Sequence, residues 1–113
     1  MRLLIVGSRS VSRVDLSDYV PDNVDLIITG GAKGVDSLAE RYADENGISK
    51  LVLRPQYKRF GKGAPLVRNE KMVEIADSVL AIWNGTSRGT LFTVEKAKSL
   101  GKEVTVIYMK NTQ

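Results

Sequence analysis

Five short apolar runs, each about the length of one β-strand, constrain this chain more than any other feature of its sequence. They cover residues 3–6, 26–28, 51–53, 79–83 and 104–108. The runs are almost continuously apolar, whereas a strand with one face in water alternates apolar with polar residues. The sequence therefore predicts a mostly parallel five-stranded sheet that is covered on both faces.

Helical patterns fill the gaps between these runs. Apolar residues recur at helical spacing in residues 35–43 and again in residues 90–100. Pro65 suits the first turn of a further helix, and residues 11–20 carry a weaker helical pattern. The alternation of strand and helix predicts an α/β fold, a three-layer sandwich with right-handed crossovers, in one domain over residues 1–113.

Four loops of this sequence are candidates for a binding site. In sheets of this kind, ligands bind beyond the carboxyl ends of the strands, near the point where the strand order reverses. The loops that follow the first four runs are residues 7–10, 30–34, 55–64 and 84–89.

The second loop contains Gly30, Gly31, Lys33 and Gly34 and leads into a helix whose first turn holds Asp36. Glycines allow a tight turn, and the free N–H groups of a helix start can hold a phosphate. The spacing matches neither the dinucleotide fingerprint nor the Walker pattern. A plain strand-to-helix connection explains the glycines equally well.

The fourth loop repeats this arrangement before the last helix. It contains Gly85, Thr86, Ser87, Gly89 and Thr90. Two glycine-rich helix starts at the same edge of a sheet favour an anion-binding cleft, while ordinary helix capping is the alternative explanation for the hydroxyl groups.

The first loop and the helix predicted to begin near Pro65 add further polar residues that are candidates for the binding site. Gly7, Ser8 and Arg9 follow the first run, and Arg9 offers a planar fork for a phosphate or carboxylate, with a surface ion pair as the alternative. Asn69 falls on the apolar stripe of its helix, where an amide without a partner is costly. Asn69 therefore either caps backbone locally or contacts a ligand, and Arg68 lies beside it.

Charge and composition narrow the chemistry. The formal net charge is +4, and residues 54–71 hold six basic residues and one acid, so the rest of the chain nets −1. A local basic excess favours an anion site, and Tyr57 and Phe60 in this segment suggest a mobile flap or a contact with single-stranded nucleic acid. A solvated basic loop whose aromatic side chains pack back onto the domain is the alternative. Cys and His are absent, which excludes disulfides, Cys/His zinc sites and imidazole catalysis.

Taken together, these motifs resemble a known family. They are Gly7-Ser8-Arg9, the stretch from Thr29 to Asp36, Arg68-Asn69, Ala76-Asp77 and the stretch from Trp83 to Thr90. The combination resembles the SLOG superfamily, which contains the DNA-processing protein DprA and the LOG phosphoribohydrolases, and most of all its small single-domain YspA-like branch. The resemblance implies a Rossmann-like fold that binds a nucleotide or nucleotide-derived ligand in the loops named above.

The resemblance also suggests cleavage of an N-glycosidic bond as a possible activity, but the catalytic Glu of the LOG enzymes is missing from this chain. LOG enzymes carry a Glu shortly after the Gly-Thr of the last helix, and the corresponding positions here are Phe92 and Thr93. Glu95 is expected to face solvent. Asp36 is the remaining carboxylate near the predicted cleft, and we expect it to bind ribose hydroxyls, or to act in catalysis if the protein is an enzyme. Stabilisation of its helix start through the helix dipole is the alternative explanation.

Three functions therefore compete: binding or sensing of a nucleotide-derived small molecule, LOG-like phosphoribohydrolase activity, and DprA-like nucleic-acid binding suggested by the basic segment. The missing Glu favours the first. We expect no metal and no cofactor other than a nucleotide-type ligand, no membrane partner, a cytoplasmic location and self-association as a homodimer.

Overall fold

The five apolar runs form one parallel sheet in the computed structural model, which describes residues 1–111. Its strands are β1 (Arg2–Gly7), β2 (Leu26–Thr29), β3 (Ser49–Val52), β4 (Ser78–Trp83) and β5 (Glu103–Tyr108). Their order across the sheet is β3-β2-β1-β4-β5, and every neighbouring pair is parallel. The predicted Rossmann-like α/β architecture is confirmed.

Helices cover both faces of the sheet and bury a separate core on each. They are α1 (Val35–Glu45), α2 (Tyr57–Phe60), α3 (Ala64–Ile75) and α4 (Arg88–Ser99). The core on the α1 face includes Ile5, Ile27, Val35, Ala39 and Leu80. The core on the α3 and α4 face includes Leu4, Ile28, Met72, Val73 and Val94. Burial of both faces explains why the inner strands β1, β2 and β4 are apolar without alternation, whereas the edge strands β3 and β5 are partly exposed.

The weak helical pattern at residues 11–20 does not form an α-helix. The segment contains one short 3-10 turn, Leu16–Asp18, because the Asp15 carboxylate accepts the Ser17 N–H at 3.1 Å and so competes with helical hydrogen bonding. The apolar spacing serves packing instead, since Val11 and Val20 are buried against the α1 face of the sheet.

The third loop contains helical turns. The N–H groups of Arg59 and Phe60 both donate to the Gln56 carbonyl, which starts α2, and the 3-10 turn Gly61–Gly63 continues into α3. The segment predicted as a loop over residues 55–64 is therefore partly helical, and its mobility stays a prediction. The sequence hides these helical turns because Gly61 and Gly63 interrupt them.

No helix within residues 1–111 has both the length and the apolar composition needed to cross a membrane.

Candidate functional site

A cleft of about 420 Å³ opens at the carboxyl ends of β1 and β4. These strands are neighbours at the point where the strand order reverses, because the chain leaves β1 toward β2 on one side and returns as β4 on the other. Both the position and the size of the cleft are typical of ligand sites in such sheets. The loop after β1, the start of α4 and the first turns of α3 form its walls.

The loop after β1 forms the floor of the cleft and joins two strands there. Ser8 is buried, its N–H donates to the Ile82 carbonyl at 3.1 Å, and its Oγ accepts the Asn84 N–H at 3.1 Å. Arg9 follows at the exposed rim of the cleft. The loop therefore fixes the end of β1 against the end of β4 and leaves the Arg9 side chain exposed at the rim.

The start of α4 presents hydrogen-bond donors to the cleft. Asn84 Oδ1 accepts the N–H groups of Thr86 and Ser87, each at 2.9 Å, and Ser87 is the N-cap, as expected for one of the hydroxyl residues of this loop. The N–H of Gly89, at the second helical position, makes no hydrogen bond within residues 1–111 and lies at the cleft wall. This donor and the helix dipole suit an anion.

Arg68 of α3 connects three parts of the site. Its Nε donates to Asn69 Oδ1 at 2.7 Å, and its Nη1 donates to the carbonyls of Gly30 at 2.5 Å and Leu53 at 3.2 Å. Arg68 thereby holds the loops after β2 and β3 beside α3. Because the Asn69 oxygen is used in this way, its NH2 group is the polar atom left for the cleft that this buried residue lines.

Asp36 places a carboxylate in the same cleft. Its Oδ2 accepts the Ala32 N–H at 3.1 Å. Burial raises the pKa of Asp36, while this hydrogen bond and the charge of Arg68 act in the opposite direction. Burial lowers the pKa of Arg68, the Asp36 charge raises it, and the positive charge of Arg9 lowers it. A carboxylate and two guanidinium groups therefore interact electrostatically across the site.

The cleft brings together most of the residues that the sequence indicated. Those at its surface are Gly7, Ser8, Arg9, Asp36, Arg68, Asn69, Ser87, Gly89 and Thr90. Those outside it are Gly30, Gly31, Lys33, Gly34, Gly85 and Thr86. The predicted residues outside the cleft belong mainly to the glycine loop before α1.

The first two glycines of that loop lie beneath arginine side chains. A Cβ on Gly30 would lie 2.6 Å from Arg68 Nη1, and a Cβ on Gly31 would lie 2.6 Å from Arg54 Nη1. Arg54 also donates to the Gly31 carbonyl at 3.0 Å. These glycines allow the arginines to approach the backbone, which is a packing role.

The remaining predicted residues outside the cleft are Lys33, Gly34, Gly85 and Thr86. Gly34, with φ of 77°, backs directly onto the carbonyls of the loop after β1. Lys33 and Thr86 are exposed, and Gly85 packs beside the ring of Tyr108.

Sequence reasoning missed several cleft residues, notably Pro65, Leu66 and Met72 of α3. Thr93 of α4, one of the two positions that correspond to the LOG Glu, also lines the cleft, on the same helix face as Thr90. Thr93 is buried and its hydroxyl donates to the Gly89 carbonyl at 3.0 Å, whereas Glu95 is exposed as expected. The helix position at the cleft therefore carries a hydroxyl group and no carboxylate.

Comparison with known proteins adds one relationship. No protein-family model matches the chain, and no solved structure matches it. The chain is similar to the Gene 61 protein of Mycobacterium phage D29, with 31% identity over 113 aligned residues that cover 88% of this chain and 90% of that protein.

Proposed function

We propose that this chain, which belongs to the same family as the Gene 61 protein of Mycobacterium phage D29, binds a nucleotide or a nucleotide-derived small molecule in its cleft. One observation carries the proposal. A single cleft, at the point where the strand order of a parallel sheet reverses, brings together hydrogen-bond donors suited to a phosphate, a buried carboxylate and an oriented amide donor.

The phosphate is assigned to the start of α4. The proposed donors are the N–H of Gly89, which makes no hydrogen bond within residues 1–111, and the guanidinium of Arg9. The Thr90 hydroxyl lines the same cleft and shares a hydrogen bond with Ser87 Oγ at 3.1 Å. The glycine loop before α1 is a poorer cradle, because the Ala32 N–H already donates to Asp36 and the Val35 N–H donates to the Ser8 carbonyl.

The sugar and base are assigned to Asp36 and Asn69. Asp36 is an acceptor suited to ribose hydroxyl groups, and the NH2 group of Asn69 suits an acceptor atom of the base or sugar. This division of the cleft agrees with the resemblance to the SLOG superfamily. Membership of that superfamily is part of the proposal.

Binding without catalysis is favoured over phosphoribohydrolase activity. Cleavage of an N-glycosidic bond needs a carboxylate positioned at the sugar, and the corresponding wall carries Thr93, whose hydroxyl is bonded to the helix backbone. Asp36 is the one carboxylate that lines the cleft within the described part of the chain, and it alone could take a catalytic role.

We expect nucleotides to raise the melting temperature of the protein by mass action. Arg9→Ala should weaken binding about tenfold, because it removes a charge-assisted contact to phosphate. Asn69→Asp should weaken it at least as much, since it keeps an oxygen acceptor for Arg68 but replaces the free NH2 donor with a negative oxygen. Calorimetric titration with a panel of nucleoside monophosphates measures both effects.

The matched control is Arg88→Ala, which removes an exposed arginine beside the cleft that does not line it. An equal loss of affinity in Arg88→Ala and Arg9→Ala would mean that only net charge matters. Binding that is unaffected by both Arg9→Ala and Asn69→Asp would place the ligand elsewhere.

We also expect no release of free base from nucleoside monophosphates above the uncatalysed background. Thr93 lines the cleft where a LOG enzyme has its carboxylate, and Asp36, the one carboxylate lining the cleft within residues 1–111, is assigned to binding the sugar. Chromatography of the products after long incubation at high protein concentration measures this. Base release that scales with protein and disappears in Asp36→Asn would overturn the binding function and make Asp36 catalytic.

A further inference from the structure

A second hollow, which we call the side pocket, lies on the other side of Arg68. It has a volume of about 70 Å³ and lies between the chain after β3, α2 and α3. Leu53, Phe60 and Val67 give it an apolar base, and Arg54, Arg68 and Lys71 are its charged residues. No Asp or Glu lines it. The pocket therefore combines a small volume with an entirely positive set of charges.

The charged residues of the side pocket form no ion pair within the described chain. The ion pairs of residues 1–111 involve the N-terminus, Arg2 and Lys50, and none involves the six basic residues from position 54 to position 71. The Asp36 charge acts on Arg68 from the cleft, without an ion pair. Since three cations line the side pocket without a paired carboxylate, it suits an anionic group that comes from outside the chain.

The size of the pocket limits that group. At about 70 Å³ the side pocket is much smaller than the cleft of about 420 Å³, so it suits a small group better than a whole nucleotide. The guanidinium of Arg59 lies 5.0 Å from the centroid of the Phe60 ring and covers one face of it. The side pocket therefore suits a tetrahedral oxyanion better than it suits a stacked base.

Arg68 forms a wall of both the cleft and the side pocket. Its Nε and Nη1 are occupied by Asn69 and two backbone carbonyls, while its Nη2 makes no hydrogen bond within the described residues. A ligand in the cleft therefore has a second cationic site next to it, separated from the cleft by the Arg68 side chain. Building on the proposed nucleotide function, we propose that the side pocket binds a second phosphate group, joined through the sugar to the nucleotide in the cleft.

This assignment names a chemical class of ligand: a nucleotide with two phosphates that are separated by at least a ribose. A nucleoside 3′,5′-bisphosphate and a 5′-phosphorylated dinucleotide both carry that chemistry. A nucleoside 5′-diphosphate has a comparable charge, but its phosphates are adjacent and are not separated by a sugar, so it serves as the comparison for charge alone.

The test compares calorimetric affinities of nucleoside 5′-monophosphates, 5′-diphosphates, 3′,5′-bisphosphates and phosphorylated dinucleotides. We expect a gain of about tenfold for the bisphosphate or the dinucleotide over the monophosphate, corresponding to one additional charge-assisted contact. Whichever of the two shows the gain identifies the spacing. Lys71→Gln should remove most of that gain and leave monophosphate affinity unchanged, because Lys71 lines only the side pocket.

Lys58→Gln is the matched control, since Lys58 is exposed in the same basic segment and lines neither pocket. An equal effect of Lys58→Gln and Lys71→Gln, or a gain that survives Lys71→Gln, overturns the side-pocket assignment. So does a gain that appears only with long oligonucleotides, which would indicate contact with a nucleic-acid strand. Failure of the monophosphates themselves to bind would instead refute the proposed function.

Discussion

Gly34→Ala is expected to lower the free energy of unfolding by about 3–5 kcal/mol or to prevent folding. Gly34 is the N-cap of α1 and has φ of 77°, which a residue with a side chain adopts only with strain. A Cβ at this position would also lie 2.5 Å from the carbonyl oxygens of Ser8 and Arg9. Both oxygens belong to the cleft floor, so relief of the overlap must move backbone.

Substitutions at two other glycines serve as controls that separate the cost of a positive φ from the cost of steric overlap at the added Cβ. Gly61 has φ of 58° with no atom within 4 Å of its Cβ position, and Gly63 has open space with φ of −80°. We expect Gly61→Ala to cost about 1 kcal/mol and Gly63→Ala to be close to neutral. Urea denaturation of the three variants measures the differences. A loss at Gly34 no larger than that at Gly61 would show that the loop yields and that the close approach is not structurally required.

The inner strands β1, β2 and β4 could be predicted from sequence because burial on both faces leaves one signal, an apolar run. The edge strands β3 and β5 are partly exposed, and the run of β5 is interrupted by Thr105. The spacing of α1, α3 and α4 was equally informative, since each packs one stripe on the sheet. Residues 11–20 show the limit of the method. Their apolar side chains are buried at helical spacing, but the Asp15 carboxylate satisfies backbone locally and the segment stays irregular.

The candidate site could be predicted only in part, because a polar residue on an apolar stripe gives a signal in the sequence and a glycine does not. Asn69 was indicated because a buried amide on an apolar stripe conflicts with its surroundings, and the structure shows that it has a partner in Arg68 and a free NH2 group at the cleft. Glycines carry no such signal. Gly30 and Gly31 look the same in sequence whether they admit a phosphate or, as here, the side chains of Arg68 and Arg54.

Arg68→Met is expected to lower the free energy of unfolding by about 2–4 kcal/mol and to weaken ligand binding in the cleft more than any single change at its rim. The substitution keeps a long apolar stem but removes the donors to the Gly30 and Leu53 carbonyls, which hold the loops after β2 and β3. It also frees the Asn69 amide to rotate, so that its oxygen as well as its NH2 group can face the ligand.

Arg68→Lys distinguishes this network from simple charge. A lysine keeps the positive charge near Asp36, but one ammonium group cannot reproduce a planar fork that contacts Asn69 and two carbonyls at once. We therefore expect Arg68→Lys to recover little of the stability lost in Arg68→Met, while the exposed Arg88→Met control stays within about 0.5 kcal/mol of the unaltered protein. Denaturant titration of the three variants decides the matter. If Arg68→Lys is as stable as the unaltered protein, then attraction to Asp36 is what holds α3 against the loops, and the hydrogen bonds to their carbonyls are incidental.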